Sequence, residues 1–143
     1  MRYTGAGVLF FIGKYIILYK ARNNTYFEDL GGHIDKGEDV YMCAIREVYE
    51  ESATYIKLTK DDLYNAPKII IDNYICFIVS LQNFSIEKAV KLLELYKNVR
   101  HYNEMDDVIV VPIKDLIDSI KSQNSIVELR KRLFRILNEI YKF

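Results

Sequence analysis

Four glutamates, one arginine and one glycine between residues 32 and 51 have the types and spacing expected of a metal site. Five residues separate Gly32 from Glu38, and a further seven precede the run REVYEE, which supplies Arg46, Glu47, Glu50 and Glu51. Carboxylate oxygens are the ligands that hard divalent cations prefer in proteins. The segment therefore predicts a site for a divalent cation.

These carboxylates need a helix to bring them together. Nothing between Asp39 and Ser52 breaks a helix. At about 100° per residue, one stripe of that helix is apolar and is the expected core face; it carries Tyr41, Ala44, Ile45 and Val48. The glutamates of the run project from an adjoining arc, where like charges three and four residues apart repel one another. A bound cation would offset that repulsion.

The neighbours of the glutamates support this interpretation. Arg46 stands four residues before Glu50, so it can pair with a carboxylate and orient it. Glu38 falls at the predicted helix start, where the helix dipole favours negative charge. Cys43 lies within the carboxylate arc, but a thiolate suits softer metals than Mg²⁺, so we interpret it as a packed residue. An acidic solvated helix would explain REVYEE alone, but not the spacing from Gly32.

The span from Gly32 to Thr54 resembles the signature of the Nudix hydrolases, which is a glycine, a spaced glutamate, and Arg-Glu-apolar-x-Glu-Glu on a helix. The resemblance implies cleavage, with Mg²⁺ or Mn²⁺, of the diphosphate linkage in a nucleoside diphosphate joined to another group. It implies that the signature glutamates bind the metal and that the carbonyl of Gly32 completes the shell. Arg46 and Glu38 would hold the constellation together.

Two positions depart from the family pattern. The glycine and apolar residue that usually close the signature are replaced by Ala53 and Thr54, which affects the exit of the helix. The usual proline before the double glycine is replaced by Leu30, which would alter a wall of the substrate pocket. Neither departure removes a carboxylate.

A further acidic candidate lies downstream, in the segment HYNEMDD at 101–107. The resemblance implies an additional acidic residue in a loop here, as general base or extra metal ligand, and we assign Glu104 to this role. The alternative is a solvated acidic loop, with a signature glutamate acting as the base.

Several other residues are candidates for substrate binding. Gly31 permits a close backbone approach, although the glycine pair would also fit an ordinary turn. His33 could face phosphate, and Phe27 or Tyr102 could stack on a base. The alternatives are a loop histidine and core aromatic side chains. The last predicted helix is basic through Arg130, Lys131, Arg132 and Arg135. That face could attract RNA, but a solvated helix face is favoured.

Composition limits the class of protein. The chain has 143 residues, which suits one domain over 1–143, and Lys+Arg and Asp+Glu are both 20, which argues against general polyanion binding. Two cysteines do not make a disulfide framework, so we expect a reducing compartment. Gly13 and Lys14 divide the apolar N-terminal region, so we expect a hairpin there, with no signal peptide and no membrane span, and therefore a cytoplasmic location.

Strands and helices alternate along the chain. The predicted strands are Gly7–Ile12, Tyr15–Lys20 and Asp107–Pro112. Lys68–Leu81 is either two strands or one long bent strand, with the break at Asp72–Asn73, and Tyr26–Ile34 is a loop or short strand. Besides the signature helix, the predicted helices are Ser85–Asn98, Ile113–Ser122 and Ser125–Tyr141. This mixture predicts an α/β (α+β) fold with helices on both faces of the sheet. The Nudix resemblance implies an α/β/α sandwich with a mixed sheet.

The function predicted from the sequence is hydrolysis of a small nucleotide, either a nucleoside triphosphate or a nucleotide sugar. One alternative is removal of an mRNA cap, which zero net charge and the lack of a second RNA-binding domain disfavour. The other is a Nudix-fold nucleotide-binding module without turnover. A monomer and a homodimer are both compatible with the sequence.

Overall fold

The computed structural model describes residues 2–21, 24–51, 56–81, 105–124 and 127–143. Within these ranges seven strands form one sheet: β1 Gly5–Ile12, β2 Tyr15–Ala21, β3 Phe27–Glu28, β4 Leu30–His33, β5 Lys68–Ile71, β6 Tyr74–Ser80 and β7 Met105–Pro112. The helices of the same ranges are α1 Val40–Glu51, α2 Lys60–Tyr64, α3 Ile113–Lys121 and α4 Lys131–Tyr141.

The sheet is mixed. Its strands follow the order β3-β2-β1-β6-β5, with β4 also paired to β1 and β7 to β2. The pair β1 and β6 is parallel, and the other pairs are antiparallel. Gly13 adopts φ 54° in the tight turn between β1 and β2, a conformation that glycine adopts without steric cost. The predicted N-terminal hairpin is therefore confirmed.

The two ends of β1 pair with different antiparallel strands, and this arrangement positions the functional site. Residues 10–12 of β1 pair with β2, whereas residues 5–8 pair with β4. The chain at β3 pairs instead with the end of β2, where Tyr19 lies opposite Glu28. The segment from β3 to β4 therefore passes from one strand to the other, and Asp29 stands at the crossing.

Helices cover both faces of this sheet. The first core lies beneath α1 and α2 and contains Ala44, Val48 and Leu63. The second lies beneath α3 and α4 and contains Leu116 and Leu133. Successive side chains of a strand point to opposite faces, and β1 feeds both cores in this way. The prediction of helices on both faces of a mixed sheet is confirmed.

Most predicted elements match the structure, and one helix start does not. The signature helix runs Val40–Glu51, and the strands β5 and β6 break at Asp72, which adopts φ 54°. The last helix begins at Lys131 and not at Ser125. The Phe27 N–H donates to the Glu128 carbonyl, and the Arg130 N–H donates to the Phe27 carbonyl. The residues just before Lys131 therefore pair with β3 and do not form a helix.

The predicted helix Ser85–Asn98 lies outside the described residues. No helix within the described part of the chain is long and apolar enough to cross a membrane.

Candidate active site

The start of α1 is fixed by two acidic side chains that accept backbone hydrogen bonds. The Asp39 carboxylate accepts from the Met42 N–H at 2.8 Å, as an N-cap does. The Glu38 carboxylate accepts from the Asp35 N–H at 2.9 Å, and Gly37 adopts φ 86° in the intervening turn. The loop and the helix therefore form one hydrogen-bonded unit that carries the signature residues.

The apolar stripe of α1 fixes the rotation of the helix against the sheet. Ala44 and Val48 are fully buried, and Tyr41 and Ile45 pack against the same core. Cys43 is also fully buried, with its sulfur 3.4 Å from the His33 carbonyl, and burial raises the pKa of its thiol to about 11. Cys43 is thus a packed residue, as the sequence predicted.

Arg46 connects three signature glutamates. Its Nε and Nη2 atoms donate to the two oxygens of Glu38 at 2.8 and 3.0 Å. Its Nη1 atom donates to Glu47 at 3.0 Å and to Glu50 at 3.3 Å. The Arg46 hydrogen bond holds the pKa of Glu38 below its ordinary value. A planar guanidinium with five donors can orient several carboxylates at once.

Glu51 is the buried acid of the site. It is 4% exposed, and its Oε1 atom has no hydrogen-bond partner within the described residues. Burial, followed by the negative charge of Glu47, raises the pKa of Glu51 to about 10. A carboxyl group in this position is neutral near pH 7 in the metal-free protein.

Gly32 lies against the carboxylate of Glu47. A Cβ atom at position 32 would stand 2.5 Å from Glu47 Oε1. Position 31 is restricted on the other side of the strand, where a Cβ atom would meet the Tyr74 hydroxyl and lie 2.7 Å from the Ala6 carbonyl oxygen. Both glycines lie in β4 and not in a turn, and a larger residue would meet fixed backbone at position 31 and the flexible end of the Glu47 side chain at position 32.

The comparison with known families agrees with this geometry. The sequence matches the family model described as NUDIX domain over residues 1–125. The chain belongs to the Nudix family. The recognition of the signature is confirmed, because the matched residues include the whole span from Gly32 to Thr54.

Solved Nudix structures share the fold at low sequence identity. A bifunctional NMN adenylyltransferase/ADP ribose pyrophosphatase from Francisella tularensis, complexed with AMP and a Mn ion, aligns with TM-score 0.63, 14% identity, and coverage of 99% of this chain and 42% of that one. This chain thus spans less than half of that protein. A search of curated proteins found no match.

Two further structures match over nearly their whole length. A NUDIX hydrolase from Nitrosomonas europaea aligns with TM-score 0.54 and 12% identity over 99% of this chain and 90% of that one. The C. elegans Ap4A hydrolase aligns with TM-score 0.52 and 18% identity over 98% of both chains. These likenesses confirm the Nudix fold.

The donors at the Nudix helix fit a hard divalent cation. Glu47 and Glu51 are in hydrogen-bonding contact, and the unpartnered Glu51 Oε1 is a buried oxygen without a proton donor. Glu50 stands apart, with a 52% exposed side chain held by Arg46. Within the described ranges no three His, Cys, Asp or Glu groups already converge at metal-binding spacing. The pair Glu47 and Glu51 therefore forms the core of the candidate metal site.

Two acids that the sequence analysis did not assign lie behind this pair. Glu28 is 4% and Asp29 is 1% exposed, and their charges contribute to the raised pKa of Glu51. Arg130 donates to Glu28 at 2.9 Å, and Arg132 donates to Asp29 at 3.0 Å. The Tyr74 hydroxyl also donates to Asp29. The sequence did contain a signal for this cluster. Two adjacent acids stand in an otherwise apolar segment, and a basic helix elsewhere in the chain can supply their cations.

The basic face of the last helix is not simply solvated. The side chain of Arg132 is 17% exposed, and its guanidinium lies 3.9 Å from the centre of the Tyr74 ring. The prediction of a solvated helix face is therefore wrong for Arg132, because the buried Asp29 requires a cation.

The remaining predicted residues are placed as follows. His33 is exposed at the end of β4, and Phe27 is half-buried against the core beneath α4. Leu30 is fully buried in the core beneath α1, so it is a core residue and not a wall of the substrate pocket. Glu104, Tyr102, Ala53 and Thr54 lie outside the described residues.

Proposed function

We propose that this Nudix domain hydrolyses the diphosphate linkage of a small nucleotide, a nucleoside triphosphate or a nucleotide sugar, with Mg²⁺ or Mn²⁺. The observation that carries the proposal is the unpartnered Glu51 Oε1, buried beside Glu47. A buried carboxyl oxygen without a partner destabilises the fold unless a ligand contacts it. A bound cation would explain why a carboxyl group occupies this buried position.

The residues that would hold the metal are Glu47 and Glu51, together with the Gly32 carbonyl and Glu50. When bound, the divalent ion neutralises charge on the phosphoryl oxygens and lowers the pKa of the attacking water. The Glu51 carboxyl must lose its proton before it can bind a cation, so metal affinity is expected to rise with pH.

The other residues act on this pair. Arg46 aligns the Glu47 and Glu50 carboxylates, and Glu38 holds the guanidinium of Arg46 from the opposite side. We assign the general base to Glu104, with a signature glutamate as the alternative. Either residue would take the proton of the attacking water as the bond between phosphorus and the leaving oxygen breaks.

The structural neighbours guide the choice of substrates to test. One is described as an ADP ribose pyrophosphatase and another as an Ap4A hydrolase, so both compounds belong in a first panel. Their identities to this chain are 14% and 18%, which supports a shared fold and leaves the substrate open. A cytoplasmic location stays a prediction.

The test is metal-dependent hydrolysis across a panel of nucleotides. The panel contains standard and oxidised nucleoside triphosphates, nucleotide sugars, ADP-ribose, Ap4A, NADH and capped RNA, each with Mg²⁺, Mn²⁺ or EDTA. We expect turnover of a small nucleotide that EDTA and Glu51→Gln both abolish. Metal binding by folded protein without turnover of any compound would contradict the enzyme and favour the binding module.

A further inference from the structure

A cationic cavity lies beside the candidate active site, on the α4 side of the sheet. It has a volume of about 580 Å³ and opens where β1 and β6 begin and β4 ends. Four cationic residues line it, Arg130 just before α4 and Lys131, Arg132 and Arg135 within it, and Asp72 is the acidic lining residue. Such a surplus of cations favours an anionic ligand.

Each of the three arginines is held in place by a carboxylate. Arg130 is paired with Glu28 at 2.9 Å and Arg135 with Asp72 at 2.7 Å. Arg132 is paired with Asp29, while its buried Nε atom has no partner within the described residues. A guanidinium carries five N–H donors, so each arginine keeps donors for a ligand after its ion pair is made.

Lys131 is the cation without such a pair. Its side chain is exposed, and within the described part of the chain no carboxylate lies at ion-pair distance from it. It is also the first residue of α4, and the first turn of this helix has no acidic residue. Cations at the start of a helix oppose its dipole. A bound anion would be attracted both by the helix dipole and by the charge of Lys131. It would therefore offset the unfavourable interaction between them.

The cavity shares a wall with the metal-site carboxylates. Gly32 lines the cavity, and the carboxylate of Glu47 packs against the same glycine from the α1 side. His33 lines the cavity as well, and its carbonyl accepts from Arg46 Nη2 at 3.1 Å. A ligand in the cavity is therefore separated from the reacting groups by a single strand.

We propose that this cavity is a phosphate-binding subsite for a phosphate group of the substrate that lies beyond the cleaved diphosphate. Arg132, Lys131 and Arg135 bind that group, so the enzyme prefers substrates whose phosphate chain extends past the cleavage point. The assignment of the ligand to the substrate rests on the proposed hydrolysis, whereas the binding of phosphate itself does not.

The first experiment measures phosphate binding without turnover. Inorganic tripolyphosphate is titrated calorimetrically into the full chain in EDTA, using wild type, the double variant Lys131→Gln/Arg135→Gln, and Lys114→Gln. Lys114 is an exposed lysine in the first turn of α3, away from the cavity, so it is a matched control. We expect binding by wild type and the control, and at least tenfold weaker binding by the double variant. Equal binding by all three, or none by wild type, would overturn the subsite.

Folding of the double variant is checked by circular dichroism. Asp72 keeps 75% exposure of its side chain, so loss of Arg135 leaves no buried charge unpaired. If the double variant does not fold, Lys131→Gln alone is used, because it removes only the exposed cation. This single variant is also expected to bind tripolyphosphate more weakly than wild type. Unchanged affinity in the folded single variant would then count against the subsite.

The second experiment identifies the source of the phosphate. With excess Mg²⁺, tripolyphosphate should compete with the nucleotide found in the panel and raise its KM, and the double variant should raise KM more than it lowers kcat. Inhibition that leaves KM unchanged would overturn the assignment to the substrate and indicate a separate phosphate compound. Failure of the proposed hydrolysis would instead appear as wild type that binds tripolyphosphate and hydrolyses nothing.

Discussion

Arg46 and Glu38 form a two-point ion pair at the start of the Nudix helix, with Nε and Nη2 of the arginine 2.8 and 3.0 Å from the two carboxylate oxygens. The remaining nitrogen of the guanidinium, Nη1, contacts Glu47 and Glu50. Arg46 therefore holds Glu47 and Glu50, two acids of the candidate metal site, in a fixed position relative to the loop that carries Glu38.

Replacing Arg46 by lysine should damage activity although the charge is kept. A lysine is a point charge and cannot contact Glu38 through both oxygens while it also orients Glu47. We expect a loss in kcat/KM of about 10- to 100-fold, as for other residues that orient metal ligands, and a loss of about 1–3 kcal/mol in the free energy of unfolding. Steady-state kinetics and urea unfolding measure the two effects.

The control for Arg46 is the pH dependence of stability in Glu38→Gln. Because the folded-state pKa of Glu38 lies below its ordinary value of 4.5, the pair stabilises the fold above that pH and is lost as pH falls through the lowered pKa. Wild type and Glu38→Gln should therefore differ in melting temperature at pH 7, and the difference should disappear as the pH falls through the lowered pKa of Glu38. A constant difference at all pH values would contradict the ion pair.

Glu51→Gln should abolish most of the activity and should also change how the stability of the metal-free protein depends on pH. We expect turnover to fall by about 100-fold or more, as when a catalytic base or a charge-stabilising group is removed. In EDTA the folded wild type holds a proton on Glu51 between its ordinary pKa of 4.5 and about 10, whereas the unfolded chain does not. The stabilisation from this proton is complete below pH 4.5 and is lost as pH rises towards 10.

Thermal melts in EDTA from pH 5 to 9 check this sign. The melting temperature of wild type should fall relative to that of Glu51→Gln as the pH rises, because the amide does not titrate. Full turnover by the variant would refute the assigned role of Glu51, and parallel melting curves would refute its raised pKa.

Alanine at Gly32 should reduce activity, whereas alanine at Gly31 should reduce stability. In Gly32→Ala the new Cβ displaces the Glu47 carboxylate, the far end of a flexible side chain, so activity should fall at least tenfold with little change in stability. In Gly31→Ala the Cβ meets the backbone of Ala6 and Gly7, which cannot move away, so the free energy of unfolding should drop by about 1–3 kcal/mol. Equal losses of stability in the two variants would contradict this division.

Arg132→Met should be strongly destabilising, because it leaves Asp29 charged, buried and without its cation. Breaking one partner of a buried ion pair costs about 3–5 kcal/mol. The matched control is Arg135→Met, another arginine of α4, whose pair with Asp72 is exposed and screened by solvent, so its urea midpoint should stay close to that of wild type. Adding Asp29→Asn to Arg132→Met should restore part of the loss. Equal urea midpoints for the two single variants would argue against the buried pair.

The sequence by itself determined the elements whose signals are local. The apolar stripe from Tyr41 to Val48 fixed the core face of α1, and Gly13 and Asp72 marked turns that the structure confirms. The spacing from Gly32 to Glu51 was sufficient to recognise the family. Periodicity and turn chemistry act over a few residues, so they are readable without the fold.

Only the tertiary structure decided which charges are buried and with what partners. Asp29 and Arg132 are 103 residues apart, and no local pattern joins them. The start of α4 at Lys131 follows from pairing of the preceding residues with β3, which overrides helix propensity. The pKa of Glu51 is raised first by its burial and then by the charges of Glu47, Asp29 and Glu28. Burial and the approach of Asp29 and Glu28 are both set by how the helix packs on the sheet, and the helix sequence alone does not determine them.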